Sequence, residues 1–212
     1  MIGIYNYTVI LTYLSVCSAV SGVLLAFQGN SFGAIVCLMV SGLLDMFDGK
    51  VARTKKRNRE EINFGIQIDS LSDVIAFGVL PVAIGYSIGM TEWYYLPIAF
   101  IYVLGALIRL AHFNVHEEEI AKTKKGRSTT FIGLPTTSVA LIFPLVYYLK
   151  DFFPNVFTYI FAVSLLIVGL LFVLNAKFIN KPDNKKMLLL ILVGLFEFLL
   201  LVIGYKIWII LS

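Results

Sequence analysis

Residues 63–88 read NFGIQIDSLSDVIAFGVLPVAIGYSI. The stretch is long and apolar enough to cross a bilayer, which takes about 20 residues as a helix. Yet it carries Asp69 and Asp73. A carboxylate at membrane depth costs about 2.5–3.5 kcal/mol on insertion scales. Gly65, Asp69 and Asp73 follow i, i+4, i+8 and so share one helix face. Upstream, residues 45–53 read DMFDGKVAR. There Asp45, Asp48, Gly49 and Ala52 follow i, i+3, i+4, i+7, again one face. If the two faces meet, four carboxylates converge on a small volume that needs a compensating charge. Oxygen-only ligands suit Mg²⁺ or Mn²⁺, and a pair of such ions is the simplest neutralisation. An ion or proton pathway through a transporter is the other reading these residues allow.

The rest of the chain agrees with a membrane setting. Of 212 residues, 59% are hydrophobic and 14% charged, and mean hydropathy is +0.88. Soluble domains are nearer a quarter charged. Apolar runs predict spanning helices at 7–27, 32–53, 63–88, 95–114, 134–149 and 156–178. A last apolar stretch, 187–211, reads as one tilted helix or two short ones broken near Gly204. The expected fold class is an all-α polytopic membrane protein: a six-helix core over about 7–178 with one or two added C-terminal spans, forming a single domain over 1–212. No basic region opens the chain and no small-residue cleavage pattern follows the first run, so that run is expected to be retained as a span.

Charge is distributed by side. Residues 50–61, 109–127 and 177–186 hold fifteen of the seventeen Lys and Arg residues. The positive-inside rule puts these segments, the N-terminus and both aspartate motifs toward the cytoplasm. The net charge of +4 therefore reflects topology and attraction to anionic membrane lipids, and no nucleic-acid partner is expected. Cys17 and Cys37 fall inside apolar runs and read as small packing residues. Gly49, Ala52 and Gly65 clear side chains from the carboxylate face, so a nucleotide can approach closely. Arg53, one position off that stripe, suits a phosphate oxygen.

The string D-x-x-D-G-x-x-A-R followed by G-x-x-x-D-x-x-x-D resembles the signature of the CDP-alcohol phosphatidyltransferase family. Asp45, Asp48, Gly49, Ala52, Arg53, Gly65, Asp69 and Asp73 fill every defining position. The eleven residues between Arg53 and Gly65 make a longer spacer than is usual there. The resemblance implies a six-helix core, a homodimer, and transfer of a phosphate-bearing group from a CDP-linked donor to an alcohol. It implies two divalent cations held by Asp45, Asp48, Asp69 and Asp73, with Asp73 also the general base. Gly49, Ala52, Arg53 and Gly65 would line the donor site. Narrower similarity, to the phosphatidylserine synthases of that family, lies in three strings. They are residues 69–73 (DSLSD) followed by Ala76-Phe77-Gly78 and Pro81, residues 109–114 (RLAHFN) and residues 131–135 (FIGLP). These imply CDP-diacylglycerol and L-serine as substrates. Arg109 offers a bidentate fork for the serine carboxylate, and Asn114 a group for its ammonium or carbonyl. Related transferases with glycerol 3-phosphate or inositol phosphate as acceptor are the alternative within the family.

Overall fold

The computed structural model describes residues 7–52, 54–123, 130–131, 134–174, 179–180 and 184–211. It is helical almost throughout. A 3₁₀ turn, Tyr7–Val9, leads into α1 (Ile10–Phe27), which packs along α2 (Ser31–Ala52). The reversal between them needs Gly29, whose φ of 79° disfavours residues with a Cβ. Asn30 then caps α2 by accepting from the Gly33 amide at 2.8 Å. The two helices approach closely because small residues face each other. A Cβ on Gly22 would lie 2.8 Å from the Cys37 Cβ. Ser15 and Ser41 each donate to the other's carbonyl at 3.3 and 3.2 Å, and Ser18 donates to the Cys37 carbonyl at 2.9 Å. Such serines hold helices together where no water competes. Both cysteines are free; Cys37 packs at this crossing and Cys17 is exposed.

Next comes a continuous span, Arg59–Ile88, built from α3 (Arg59–Asp73), a π-helical segment Val74–Val79, and α4 (Leu80–Ile88). A four-residue repeat runs ahead of the α-helical turn by about 40° per step. The wider π turn opposes that drift. The face carrying Gly65, Asp69 and Asp73 therefore continues into Phe77, Leu80 and Ile84, all fully buried. The Phe77 carbonyl in the π segment accepts from the buried Tyr102 hydroxyl at 2.7 Å, as its disturbed ladder requires.

α5 (Leu96–Thr123), α6 (Val139–Tyr148), α7 (Phe157–Val173) and α8 (Asn184–Leu211) complete the helices. Each of the seven expected apolar runs contains a helix, though α6 starts at Val139 after a 3₁₀ turn and α7 ends at Val173, short of residue 178; residues 53 and 175–178 lie outside the described residues. Among the described residues, five are long and apolar enough to cross a membrane; Thr136–Tyr148 and Leu189–Gly204 are shorter. The C-terminal stretch is one unbroken helix, not two. α3 begins four residues earlier than expected, and α5 continues nine residues past residue 114. Hydropathy marks where lipid ends, and a helix need not stop there. A two-residue antiparallel ladder also pairs β1 (Thr130–Phe131) with β2 (Ile179–Asn180). Nothing in the apolar pattern announced it.

The core joins the π segment, α4, α5, α6 and α7 through Phe77, Leu80, Tyr102, Phe143, Phe161 and Phe172, with Tyr102 edge-on to Phe143 at 5.8 Å between ring centres. Outward faces carry exposed Leu14, Leu24, Phe100, Leu104, Val163 and Leu170, as lipid contact requires. α5 and α7 touch backbone to backbone. A Cβ on Gly105 would sit 2.5 Å from the Gly169 carbonyl oxygen, and one on Gly169 2.8 Å from the Tyr102 Cα. Neither neighbour can rotate away, because both are main chain. Gly169→Ala is therefore expected to destabilise the protein by about 1–3 kcal/mol through overpacking, read as a lower unfolding temperature in detergent; an unchanged temperature would contradict the close crossing.

Candidate active site

The site forms where the end of α2, the last turns of α3 and the start of α1 meet. The connection between α2 and α3 is tied down at both ends. Thr54 Oγ1 donates to the Val51 carbonyl at 2.8 Å and lies 3.0 Å from the Tyr7 hydroxyl. At the other end Asn58 and Glu61 form a reciprocal capping box. The Glu61 amide donates to Asn58 Oδ1 at 2.7 Å and the Asn58 amide to Glu61 Oε2 at 2.9 Å. Lys55 Nζ pairs with the other Glu61 oxygen at 3.0 Å. Asn58-x-x-Glu61 is a helix-start signal legible in the sequence. It sits inside a basic segment whose charge topology alone explains.

With α2 and α3 so placed, their two carboxylate faces meet. Asp45, Asp48 and Asp69 each offer one oxygen, and these all lie within 4.8 Å of one another. Asp73, 8% exposed, stands outside that set, in side-chain contact with Asp45; Asp48 is in similar contact with Asp69. α1 supplies a residue that sequence reasoning missed: the buried Thr12, whose hydroxyl donates to Asp48 Oδ2 at 3.3 Å. The Thr12 carbonyl in turn accepts from Ser72 Oγ at 3.4 Å. No spacing rule links Thr12 to Asp48, 36 residues on.

Asp69 Oδ1 is buried and has no hydrogen-bond partner. Burying an acceptor unpaired costs about 1–3 kcal/mol. A carboxylate with an oxygen left so, on a residue clustered with two further carboxylates, fits a bound hard cation better than any hydrogen-bond network. The donor set is all oxygen and the residues present suit Mg²⁺ or Mn²⁺.

Of the residues expected at the donor site, Gly49 and Ala52 lie on the last turn of α2, exposed and half-buried. Gly65 is half-buried on α3, one turn before Asp69, and Arg53 lies outside the described residues. The two residues expected to bind the acceptor are not joined to the aspartates by any hydrogen bond or ion pair among the described residues. Arg109 is buried; its Nε donates to the Leu134 carbonyl at 3.2 Å and its guanidinium lies 5.9 Å from the Phe113 ring centre. Asn114 Oδ1 accepts from Ser70 Oγ at 2.9 Å, tying α5 to α3 beside Asp69.

Comparison with known proteins places the chain in a family. The family model described as CDP-alcohol phosphatidyltransferase matches residues 5–174. The chain is 31% identical over 188 residues to the CDP-diacylglycerol–serine O-phosphatidyltransferase of Helicobacter pylori, covering 82% of this chain and 74% of that protein. It is 38% identical over 112 residues to the Saccharomyces cerevisiae protein of the same name, covering 52% of this chain and 40% of that one. It is 34% identical over 135 residues to the archaetidylserine synthase of Methanothermobacter thermautotrophicus, covering 62% and 54%. The chain thus spans about half or less of the yeast and archaeal proteins and about three quarters of the Helicobacter one.

Proposed function

The chain belongs to the CDP-alcohol phosphatidyltransferase family, and we propose that it transfers the phosphatidyl group from CDP-diacylglycerol to the hydroxyl of L-serine, giving phosphatidylserine and CMP. The observation that carries the reading is the convergence of Asp45, Asp48 and Asp69, with Asp73 against Asp45. Similarity to relatives whose names specify serine supports the acceptor.

Asp45, Asp48, Asp69 and Asp73 would hold two divalent cations, which supply Lewis-acid neutralisation of the donor diphosphate and of the departing CMP. Asp73 accepts the proton of the serine hydroxyl as that oxygen forms its bond to the lipid-side phosphorus. The bond from that phosphorus to the bridging oxygen breaks, and the bridging oxygen leaves with CMP. Thr12 fixes the orientation of Asp48 through its hydroxyl. Gly49, Ala52 and Gly65 leave room for the nucleotide, with Arg53 as a further phosphate ligand. Arg109 pairs with the serine carboxylate through the guanidinium nitrogens that Leu134 does not engage, and Asn114 offers its amide to the ammonium side. The Lys and Arg distribution supports a multi-pass protein with this site and the N-terminus on the cytoplasmic side, where serine and CMP are soluble. A homodimer is part of the same proposal.

The test is CMP release by the purified protein across an acceptor panel with one CDP-diacylglycerol preparation. Release with L-serine and not with glycerol 3-phosphate or inositol phosphate is expected. Release with a phosphate-bearing acceptor instead would assign another member of the family, and no release with any alcohol would favour ion transport. Arg109→Lys is expected to raise the serine KM about tenfold, because a point charge replaces a bidentate fork. An unchanged serine KM would remove Arg109 from the acceptor site.

A further inference from the structure

The longer spacer between α2 and α3 does more than carry topology charge. Its two anchors, Thr54 on Tyr7 and the Asn58–Glu61 box with Lys55 attached, leave two residues between them. Lys56 faces out and is exposed. Arg57 turns inward and is half-buried. Its Nη1 comes within 3.0 Å of where a Cβ on Gly65 would stand. The missing side chain at Gly65 is what admits the guanidinium. Among the described residues no hydrogen bond or ion pair engages that guanidinium. Its neighbour Lys55, by contrast, is paired. A half-buried cation without an anion among the described residues is thus held over α3 at Gly65, four residues and about 6 Å of helix rise before Asp69.

From this geometry we propose that Arg57 is a donor-binding residue, contacting a phosphate oxygen on the nucleotide side of the CDP-linked donor. This rests on the transferase reading above. The guanidinium fork matches phosphate oxygens and stays charged at any working pH. Its position on the loop side of the carboxylates suits the phosphate that departs with the nucleoside. Gly65 then has a second use besides clearing space for substrate: it seats Arg57.

The experiment uses the full chain in detergent or nanodiscs, with Arg57→Ala, Arg57→Gln, Arg57→Lys and Lys56→Ala. KM for CDP-diacylglycerol, KM for serine and the inhibition constant of CMP are measured for each. Loss of one charge-assisted contact is expected to raise both the donor KM and the CMP constant about tenfold in the Ala and Gln variants. Lys at 57 recovers part of the loss, serine KM stays where it was, and Lys56→Ala behaves as the unchanged protein. The proposal is overturned if the Ala and Gln variants keep both constants, if Lys56→Ala loses as much, since the effect would then be diffuse surface charge, or if Lys at 57 does no better than Gln. If the unmodified protein releases CMP with no acceptor, the transferase reading fails separately. Calorimetric binding of CMP to the same variants then still reads Arg57.

Discussion

Replacing Asp73 by Asn is expected to lower turnover by about 10²–10⁴-fold, the range for losing a positioned general base, while CDP-diacylglycerol still binds. The substitution keeps volume and one oxygen at a site only 8% exposed, so packing against α1 and α2 is preserved. What is lost is the basic oxygen proposed to take the serine proton. Asp45, Asp48 and Asp69 bring their oxygens within 4.8 Å of one another without any help from Asp73, so three carboxylates remain to hold cation and diphosphate. Turnover and donor binding are therefore separable at this position, and equilibrium binding of CDP-diacylglycerol beside kcat measures the separation. Parallel loss of both would make Asp73 chiefly a metal ligand and leave the base unidentified. Loss of folded protein, seen as a lower unfolding temperature, would point to the contact with Asp45 as structural.

The aspartate cluster was legible because it rests on two strong local rules. Apolar runs mark spans, and spacings of three and four mark a helix face. Asp45, Asp48 and Asp69 meet where those rules put them. What the rules do not carry is anything set by contact between helices. Thr12 reaches Asp48 only because Ser15, Ser18 and Ser41 draw α1 onto α2. Gly105 and Gly169 matter only because α5 and α7 cross at those two residues. The π turn at Val74–Val79 is invisible to a pattern that assumes one period throughout. The early start of α3 is a different case. Asn58 and Glu61 carry the signal of a capping box, but their basic neighbours have a sufficient explanation in topology. In the sequence Arg57 is one of six basic residues in that segment, and its burial and its approach to Gly65 distinguish it from Lys56.

Asp69→Asn should behave unlike Asp73→Asn, because it removes charge from the three-carboxylate set itself. Asp69 Oδ1 is a buried oxygen with no hydrogen-bond partner, and the Asp69 carboxylate brings an oxygen within 4.8 Å of oxygens of Asp45 and Asp48. Without a cation, three carboxylates so close repel one another. The substitution relieves that repulsion, so the unfolding temperature of metal-free Asp69→Asn is expected to equal or exceed that of the unmodified protein. Adding divalent cation reverses the order. A ligand that binds only the folded state stabilises it by about 2.7 kcal/mol at a concentration of 100 Kd, and the unmodified protein should gain that much with Mn²⁺ while the variant gains little. Mn²⁺ affinity should fall by more than about 100-fold, since even supporting residues around a metal account for 10–100-fold, and donor binding and turnover should fall together. Thermal unfolding with and without Mn²⁺ reads the effect independently of catalysis. An undiminished Mn²⁺-induced shift in Asp69→Asn would mean that the orphaned oxygen is not a ligand and that the cation, if bound, sits on Asp45, Asp48 and Asp73 instead.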